Sequence, residues 1–188
     1  MLVNHRVRIA GCISFGLILQ LTGACSQEQE EAAPATPTPI EIPGSMRAEH
    51  GDIHRSLEAA TQVAGAVGDA ARDLEERLAP HFMREEQIAL PPLGLLESLA
   101  RGESPSEMRS VLPMTDSLTS EWAQMVREHQ AISAAAARLE QAARESGNAD
   151  VERLAQGIQL HAKTEEEILY PAAILVGEIV RAREQQRR

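Results

Sequence analysis

Apolar residues recur every three or four positions through most of the chain, which is the period of an amphipathic helix. This pattern predicts four long helices, at residues 46–66, 69–90, 116–145 and 150–170. In the second segment, for example, Leu74 and Leu78 begin a stripe that continues on one face to Ile88. Helices that are apolar on one face bury that face against one another. The expected fold class is therefore all-α, with an up-down-up-down four-helix bundle as its architecture.

The connections between these segments differ in length. Gly65 and Gly68 mark the first connection and the turn-forming residues 146–148 mark the third, and both are short. The second connection is longer, and we expect short helices in it at residues 93–100 and 106–112. The short first and third turns predict that each pair of helices is antiparallel.

Prolines predict where the helices bend or end. Pro80 lacks the amide hydrogen that an interior helical position needs, so a kink is expected there. Pro91 ends the second helix, because the residue before a proline disfavours the helical conformation. Pro171 breaks or kinks the fourth helix, and residues 172–183 are expected to continue as an extra C-terminal helix.

The first 24 residues have the pattern of an export signal. Arg6 and Arg8 precede a largely apolar run at residues 9–21, which is too short to cross a bilayer as a finished helix. Small residues then lead to Cys25, and this sequence resembles the lipobox of bacterial lipoproteins, in which the cysteine is lipidated and becomes the new N-terminus. A plain signal peptide with an incidental cysteine is the alternative. The lipoprotein interpretation predicts a signal peptide at residues 1–24 and lipidation of Cys25.

A lipid anchor also predicts where the protein resides. Ser26 follows the cysteine where an aspartate would favour retention, and this resemblance implies the outer membrane, facing the periplasm. Several acyl chains on one residue give stable anchoring to the membrane. Residues 25–45 are rich in proline and glutamate, so we expect a disordered tether that cannot bury enough apolar surface to fold. The folded domain then occupies residues 46–185.

The charge of the chain narrows the choice of partners. The formal net charge is −10, and loss of Arg6 and Arg8 with the signal peptide takes it to −12. An acidic chain without a basic patch argues against nucleic acid as a partner. The sequence contains no nucleophile triad, phosphate loop or nucleotide motif that would support other chemistry.

One motif occurs twice: Glu-His, then about thirty residues, then His-x-x-x-Glu-Glu-x-Ile-x-x-Pro. The first copy contains Glu49, His50, His81, Glu85, Glu86, Ile88 and Pro91. The second copy, 79 or 80 residues later, contains Glu128, His129, His161, Glu165, Glu166, Ile168 and Pro171. An internal repeat that keeps histidine and glutamate in fixed places indicates a metal site built from both halves.

These histidines and glutamates lie on the apolar stripes, so they point into the predicted core. A buried histidine or carboxylate without a partner costs several kcal/mol. A single histidine on an apolar face is more often a hydrogen-bonded core residue than a ligand, but here the whole set repeats. His54 joins it, because it lies one helical turn after His50. The candidate metal ligands are His50, His54, His81, Glu85, His129, His161 and Glu165.

Over about residues 46–180, this set of motifs resembles the hemerythrin-like, or HHE cation-binding, family. The resemblance implies a four-helix bundle around a non-haem di-iron centre, with histidine ligands and with Glu85 and Glu165 as the bridging carboxylates. Ferritin-like di-iron proteins instead use Glu-x-x-His, a spacing that is absent at the matched positions. Five histidines, two bridging carboxylates and a bridging oxo or hydroxo group leave one position open on two six-coordinate irons. Zinc or manganese also suits such donors in vitro.

The chain departs from the invertebrate oxygen carriers in one respect. There the extra histidine lies on the third helix, whereas here it is His54 on the first, and Ser133 occupies the matched position. The order of the repeat predicts that the histidines of the first two helices bind one iron and those of the last two bind the other. The open position would then lie close to Ser133. If His54 does not bind, two positions are open, which favours redox chemistry over reversible binding.

Three functions remain open. The prediction is reversible binding of O2 or NO for sensing, delivery or scavenging at the cell envelope. The first alternative is an enzyme that uses the di-iron centre to reduce peroxide, NO or O2. The second is an iron-holding or structural lipoprotein.

Overall fold

The computed structural model describes residues 40–187, and within them the chain forms helices and no strand. The helices are α1 (Gly44–Thr61), α2 (Ala66–Ile88), α3 (Leu96–Ala100), α4 (Leu112–Ser146), α5 (Ala149–Thr164) and α6 (Tyr170–Gln186). The four long helices α1, α2, α4 and α5 form a bundle in which α1 and α4 each pack against α2 and α5. The predicted all-α bundle with an extra C-terminal helix is confirmed.

The predicted signal peptide, the lipidation site Cys25 and most of the predicted tether lie outside the described residues. No helix between residues 40 and 187 combines the length and the hydropathy that a membrane span requires. The described chain joins the bundle before α1, because Ile40 and Ile42 pack against apolar clusters of the core. The carbonyl oxygen of Glu41 lies so close to Gly94 that a Cβ on Gly94 would sit 2.1 Å from it.

The core of the bundle has two apolar regions, and a third cluster packs α6 against the long connection before α4. In one region α1, α2, α4 and α5 contribute Leu57, Leu78, Ile132 and Ile158. In the other, the opposite ends of the helices contribute side chains such as Ile88, Met125 and Tyr170. The repeated histidines and glutamates occur in the sequence between these two sets of apolar residues. The polar groups therefore occupy the middle of the bundle, with an apolar layer on either side.

The first connection, residues 62–65, comes earlier and is longer than predicted, and Gly68 lies in α2 rather than in the turn. Gly65 has a φ of 77°, a left-handed conformation that favours glycine. Gly68 is buried, and a Cβ there would lie 1.9 Å from the carbonyl oxygen of Val63. The second glycine therefore permits close contact between α2 and the preceding loop.

The long connection folds as three short helices. A 3₁₀ helix spans Pro91–Leu95, α3 follows at once, and a second 3₁₀ helix spans Met108–Val111 just before α4. The predicted short helices at residues 93–100 and 106–112 are therefore present, although their bounds and type differ.

Both prolines of the repeat follow a widened helical turn. The amide of Leu90 donates to the carbonyl of Glu85, five residues back, at 3.0 Å. The amide of Tyr170 donates to Glu165 in the same way, at the end of a π-helical turn, Glu165–Leu169. A proline ring crowds the carbonyl four residues earlier, and the wider turn relieves that contact. After Pro91 the chain leaves the helix, whereas after Pro171 it continues as α6.

The π-helical turn changes which side chains face the core. The apolar period of the sequence predicts that Ile168 faces inwards on the same stripe as Glu165, and this prediction is wrong, since Ile168 is 59% exposed. Its counterpart Ile88, which follows regular α-helix, is only 4% exposed. The wider π-helical turn rotates the side chains within it, Ile168 among them, away from the positions of an α-helix, so the apolar period of the sequence gives the wrong face here.

Candidate metal centre

Six buried polar side chains from the four long helices and the π-helical turn meet in the middle of the bundle. They form two overlapping groups, and within each group the ligand atoms all lie within 4.8 Å of one another. Position 1 comprises His50, His161, Glu85 and Glu165. Position 2 comprises His81, His129, Glu85 and Glu165.

Helical spacing explains why the sequence brings these groups together. His81 and Glu85 are four residues apart in α2, so both side chains lie on one face. His161 and Glu165 have the same spacing at the end of α5. The Glu-His parts of the repeat supply the remaining histidines, His50 from α1 and His129 from α4.

Each buried carboxylate turns one oxygen to each position. Glu85 places Oε2 3.7 Å from Nε2 of His50 in position 1, and Oε1 3.4 Å from Nε2 of His81 in position 2. Glu165 places Oε1 3.1 Å from Nε2 of His161 and Oε2 3.3 Å from Nε2 of His129. Both carboxylates therefore have the orientation needed to bridge two cations.

The outer nitrogen of each histidine ring has a carboxylate partner on a neighbouring element. The Nδ1–carboxylate pairs are His50–Glu86 at 3.3 Å, His81–Glu128 at 2.8 Å, His129–Glu166 at 3.1 Å and His161–Glu49 at 3.1 Å. Together the pairs close a ring around the bundle. When Nδ1 donates its hydrogen to a carboxylate, the lone pair of Nε2 points inwards, ready to bind a metal. Together with the inward carboxylates Glu85 and Glu165, the ring accounts for every Glu and His of the repeated motif.

Several inward atoms lack a hydrogen-bond partner. Among the described residues these are His81 Nε2, His161 Nε2, Glu85 Oε2 and Glu165 Oε2. A buried polar atom that makes no hydrogen bond costs about 1–3 kcal/mol. Two nitrogens and two oxygens left unpaired in one place fit bound cations, and imidazole with carboxylate suits iron, zinc or manganese. These buried histidine and glutamate groups could therefore hold a metal.

In the absence of a cation, protons balance the charge of this cluster. Burial alone would lower the pKa of His129, but the nearby carboxylates of Glu165 and Glu85 outweigh it and raise that pKa to about 9. Burial would also lower the pKa values of His81 and His161, but the neighbouring carboxylates outweigh it and raise both pKa values. Burial would raise the pKa of Glu165, yet three histidines hold it well below its usual range. A cation that binds here must displace these protons.

Aromatic side chains make the two positions different. Phe82 stacks on His50 in position 1, with ring centroids 3.8 Å apart and an interplanar angle of 8°. Tyr170 stacks on His129 in position 2, with centroids 5.5 Å apart. The Tyr170 hydroxyl donates a hydrogen bond to Glu85 Oε1 and lies 3.3 Å from His129 Nε2. The sequence analysis assigned no role to Tyr170. The feature that could have identified it is its place in the repeat, where the single tyrosine of the chain replaces Leu90 of the first copy.

His54 is the one predicted ligand that the structure does not bring into either group. Its side chain is exposed. With Met83 and Glu86 it lines a surface pocket of about 340 Å³ that also reaches His50 and Phe82. Binding of a metal by His54 stays a prediction.

The pairing of histidines differs from the one that the order of the repeat predicts. His50 pairs with His161 and His81 with His129, so each pair joins the two halves of the repeat. In the bundle α1 packs against α5 as well as α2, and α4 packs against α2 as well as α5, so helices from different halves of the repeat can share a position. Ser133 is half-buried and lines a pocket on the outer side of His129 and Glu166, not the space between the two carboxylates.

Comparison with known proteins identifies one family. A family model described as the hemerythrin HHE cation binding domain matches residues 41–173. The matched segment contains all six buried residues of positions 1 and 2 and the four glutamates that bond their histidines. Neither a curated protein nor a solved structure matches the chain.

Proposed function

Since the chain belongs to the hemerythrin HHE cation-binding domain family, we propose that it holds two iron ions and binds O2 or NO reversibly at the cell envelope. One observation carries the proposal. Each of the two buried carboxylates, Glu85 and Glu165, turns one oxygen to each of two histidine pairs. A site for a single cation would not need that arrangement.

The donor set supports iron. Each position offers two imidazole nitrogens and two carboxylate oxygens, a mixture that iron accepts in proteins. When bound, an iron pair supplies electrons reversibly to a small ligand such as O2 or NO. The four outer glutamates make the imidazoles more basic and hold their orientation.

The surrounding residues exclude water from the site. Ile132 and Leu78 lie on one side of the histidines and Met125 and Leu118 on the other, and all four are buried. A dry surrounding strengthens electrostatic interactions at the site and limits side reactions of a bound ligand. The two apolar layers therefore favour retention of a small uncharged molecule such as O2 or NO.

A second function is favoured by the exposure of His54. Without that histidine, two irons with four histidines and two bridging carboxylates have two coordination positions open to small molecules. Two open positions favour an enzyme that reduces peroxide, NO or O2 over a carrier that releases its ligand unchanged. The two functions predict different products.

We propose the cell envelope as the location because of the N-terminal sequence. A signal peptide at residues 1–24 would place Cys25 at the new N-terminus, where lipidation anchors the protein to the outer membrane, facing the periplasm. The linker up to residue 40 would then separate the metal centre from the membrane.

The test is a visible spectrum of the iron-loaded, reduced protein before and after O2 or NO, and again after the gas is removed. Return of the original spectrum supports reversible binding. Irreversible oxidation together with consumption of peroxide or NO supports the enzyme. A spectrum that responds to none of these would contradict both functions and favour an iron-holding role.

A further inference from the structure

Tyr170 is the one polar residue at the metal centre that the repeat does not explain. Its side chain is fully buried, and it is the single tyrosine of the chain. Its hydroxyl contacts Glu85 Oε1 and His129 Nε2, and both of these atoms belong to position 2. The hydroxyl is therefore aimed at one of the two positions.

The hydroxyl lies where a ligand of position 2 would lie. Its oxygen is 3.3 Å from His129 Nε2, the same distance that separates this nitrogen from Glu165 Oε2. Neighbouring donors of an octahedral cation stand about 3 Å apart when each is about 2.1 Å from it. The spacing of Tyr170 from His129 thus matches that of a donor on the same cation.

Position 1 has no equivalent donor. In the first copy of the repeat, Leu90 stands where the second copy has Tyr170. The aromatic residue that stacks on a position 1 histidine is Phe82, which carries no ligand atom. Each position therefore has two histidines and two carboxylates as donors, and position 2 differs from position 1 by the additional phenol oxygen.

We propose that the phenol oxygen of Tyr170 is a ligand of the cation in position 2, and that it takes the place that sequence reasoning gave to His54. The proposal rests on the proposed di-iron function. The phenol proton leaves to solvent when the oxygen binds the cation, as protons on metal ligands generally do.

This assignment has a consequence for ligand binding. With Tyr170 as a donor, position 2 is filled by two histidines, two carboxylates, the phenol oxygen and a bridging oxo or hydroxo group. Position 1 lacks the phenol oxygen and keeps one coordination position open. A small molecule such as O2 or NO then binds in position 1, beside Phe82, and the single open position favours the reversible function.

The test uses the full chain, loaded with iron without oxygen and then oxidised. A ferric ion bound by phenolate absorbs visible light through charge transfer, and resonance Raman excitation in that band shows the ring vibrations of the phenolate. Any such signal comes from Tyr170, because the chain has no other tyrosine. The iron content of each sample is measured in parallel.

Three variants complete the experiment. Tyr170→Phe keeps the ring that stacks on His129 and removes only the oxygen, so the signal is expected to vanish. The affinity for one of the two irons should fall by at least about tenfold, since loss of a residue that only bonds a ligand already costs about 10–100-fold. His54→Ala and Trp122→Phe are the controls. Trp122 contacts the Tyr170 ring, with centroids 6.0 Å apart, and belongs to neither position, so both controls should keep the signal.

The outcomes separate the two proposals. Two irons per chain with a phenolate signal that Tyr170→Phe abolishes would establish the ligand. Two irons per chain without a phenolate signal would overturn the assignment of Tyr170 and leave the di-iron function standing. Fewer than two irons in the parent protein would overturn both.

Discussion

The ring of outer glutamates makes a prediction about metal affinity that adjacent residues can test. Glu166 accepts from Nδ1 of His129 at 3.1 Å, whereas Glu167 points away and pairs with Lys163 at 3.7 Å. Glu166→Ala and Glu167→Ala change the charge of the chain equally at neighbouring positions. Only the first removes a partner from a predicted metal ligand.

The size of the effect follows from the position of Glu166. Loss of a carboxylate that bonds a ligand histidine weakens metal binding by about 10–100-fold, or about 1.4–2.7 kcal/mol. The Glu166 side chain is 32% exposed, so water can replace part of its hydrogen bonding. We therefore expect a loss of about tenfold, and only in position 2, because His129 belongs to that position.

The assay is a titration of the metal-free protein with Co²⁺ in competition with a coloured chelator, which gives two dissociation constants. Glu166→Ala should raise one constant and leave the other near the parent value. Glu167→Ala should change neither. Equal effects of the two substitutions, or an unchanged pair of constants in Glu166→Ala, would refute the role given to the outer carboxylates.

Three further predictions follow from the pKa values, the packing and the N-terminal sequence. Because the folded state raises the pKa of His129 to about 9, its contribution to stability is complete below about pH 6.5 and is lost as the pH rises through 9. Urea unfolding of the metal-free protein should therefore show up to about 3 kcal/mol less stability at pH 9.5 than at pH 6, and a flat profile would contradict this. Gly177→Ala should destabilise the fold by about 1–3 kcal/mol, since its Cβ would lie 2.3 Å from Oγ1 of Thr115. An unchanged melting temperature would contradict this and show that α4 and α6 can move apart without cost. Cys25→Ser should move the protein from the membrane fraction to the soluble fraction, and an already soluble parent protein would exclude a lipid anchor.

The sequence predicted much of the bundle because the helical period is strong and the turns are short. The repeat also identified the histidines and glutamates that the structure brings together, since His81 and Glu85 must share a helix face. The outer role of Glu86 and Glu166 was missed. On a single helix they point about 100° away from the bridging glutamates, and only the neighbouring helix brings a histidine ring to them.

Three other features depended on contacts between helices, which a linear pattern does not contain. The pairing of His50 with His161 depends on α1 lying beside α5. The outward turn of Ile168 depends on the π-helical turn before Pro171. The position of Tyr170 against Glu85 joins residues 85 positions apart, and nothing in the local sequence indicates it.

The central claim is that two cations lie between the two histidine pairs, bridged by Glu85 and Glu165. Anomalous diffraction from crystals of the iron-loaded protein, measured at the iron absorption edge, tests it most directly. The account predicts two peaks, one between His50 and His161 and the other between His81 and His129. A single peak, or a peak at a site that excludes either carboxylate, would contradict it.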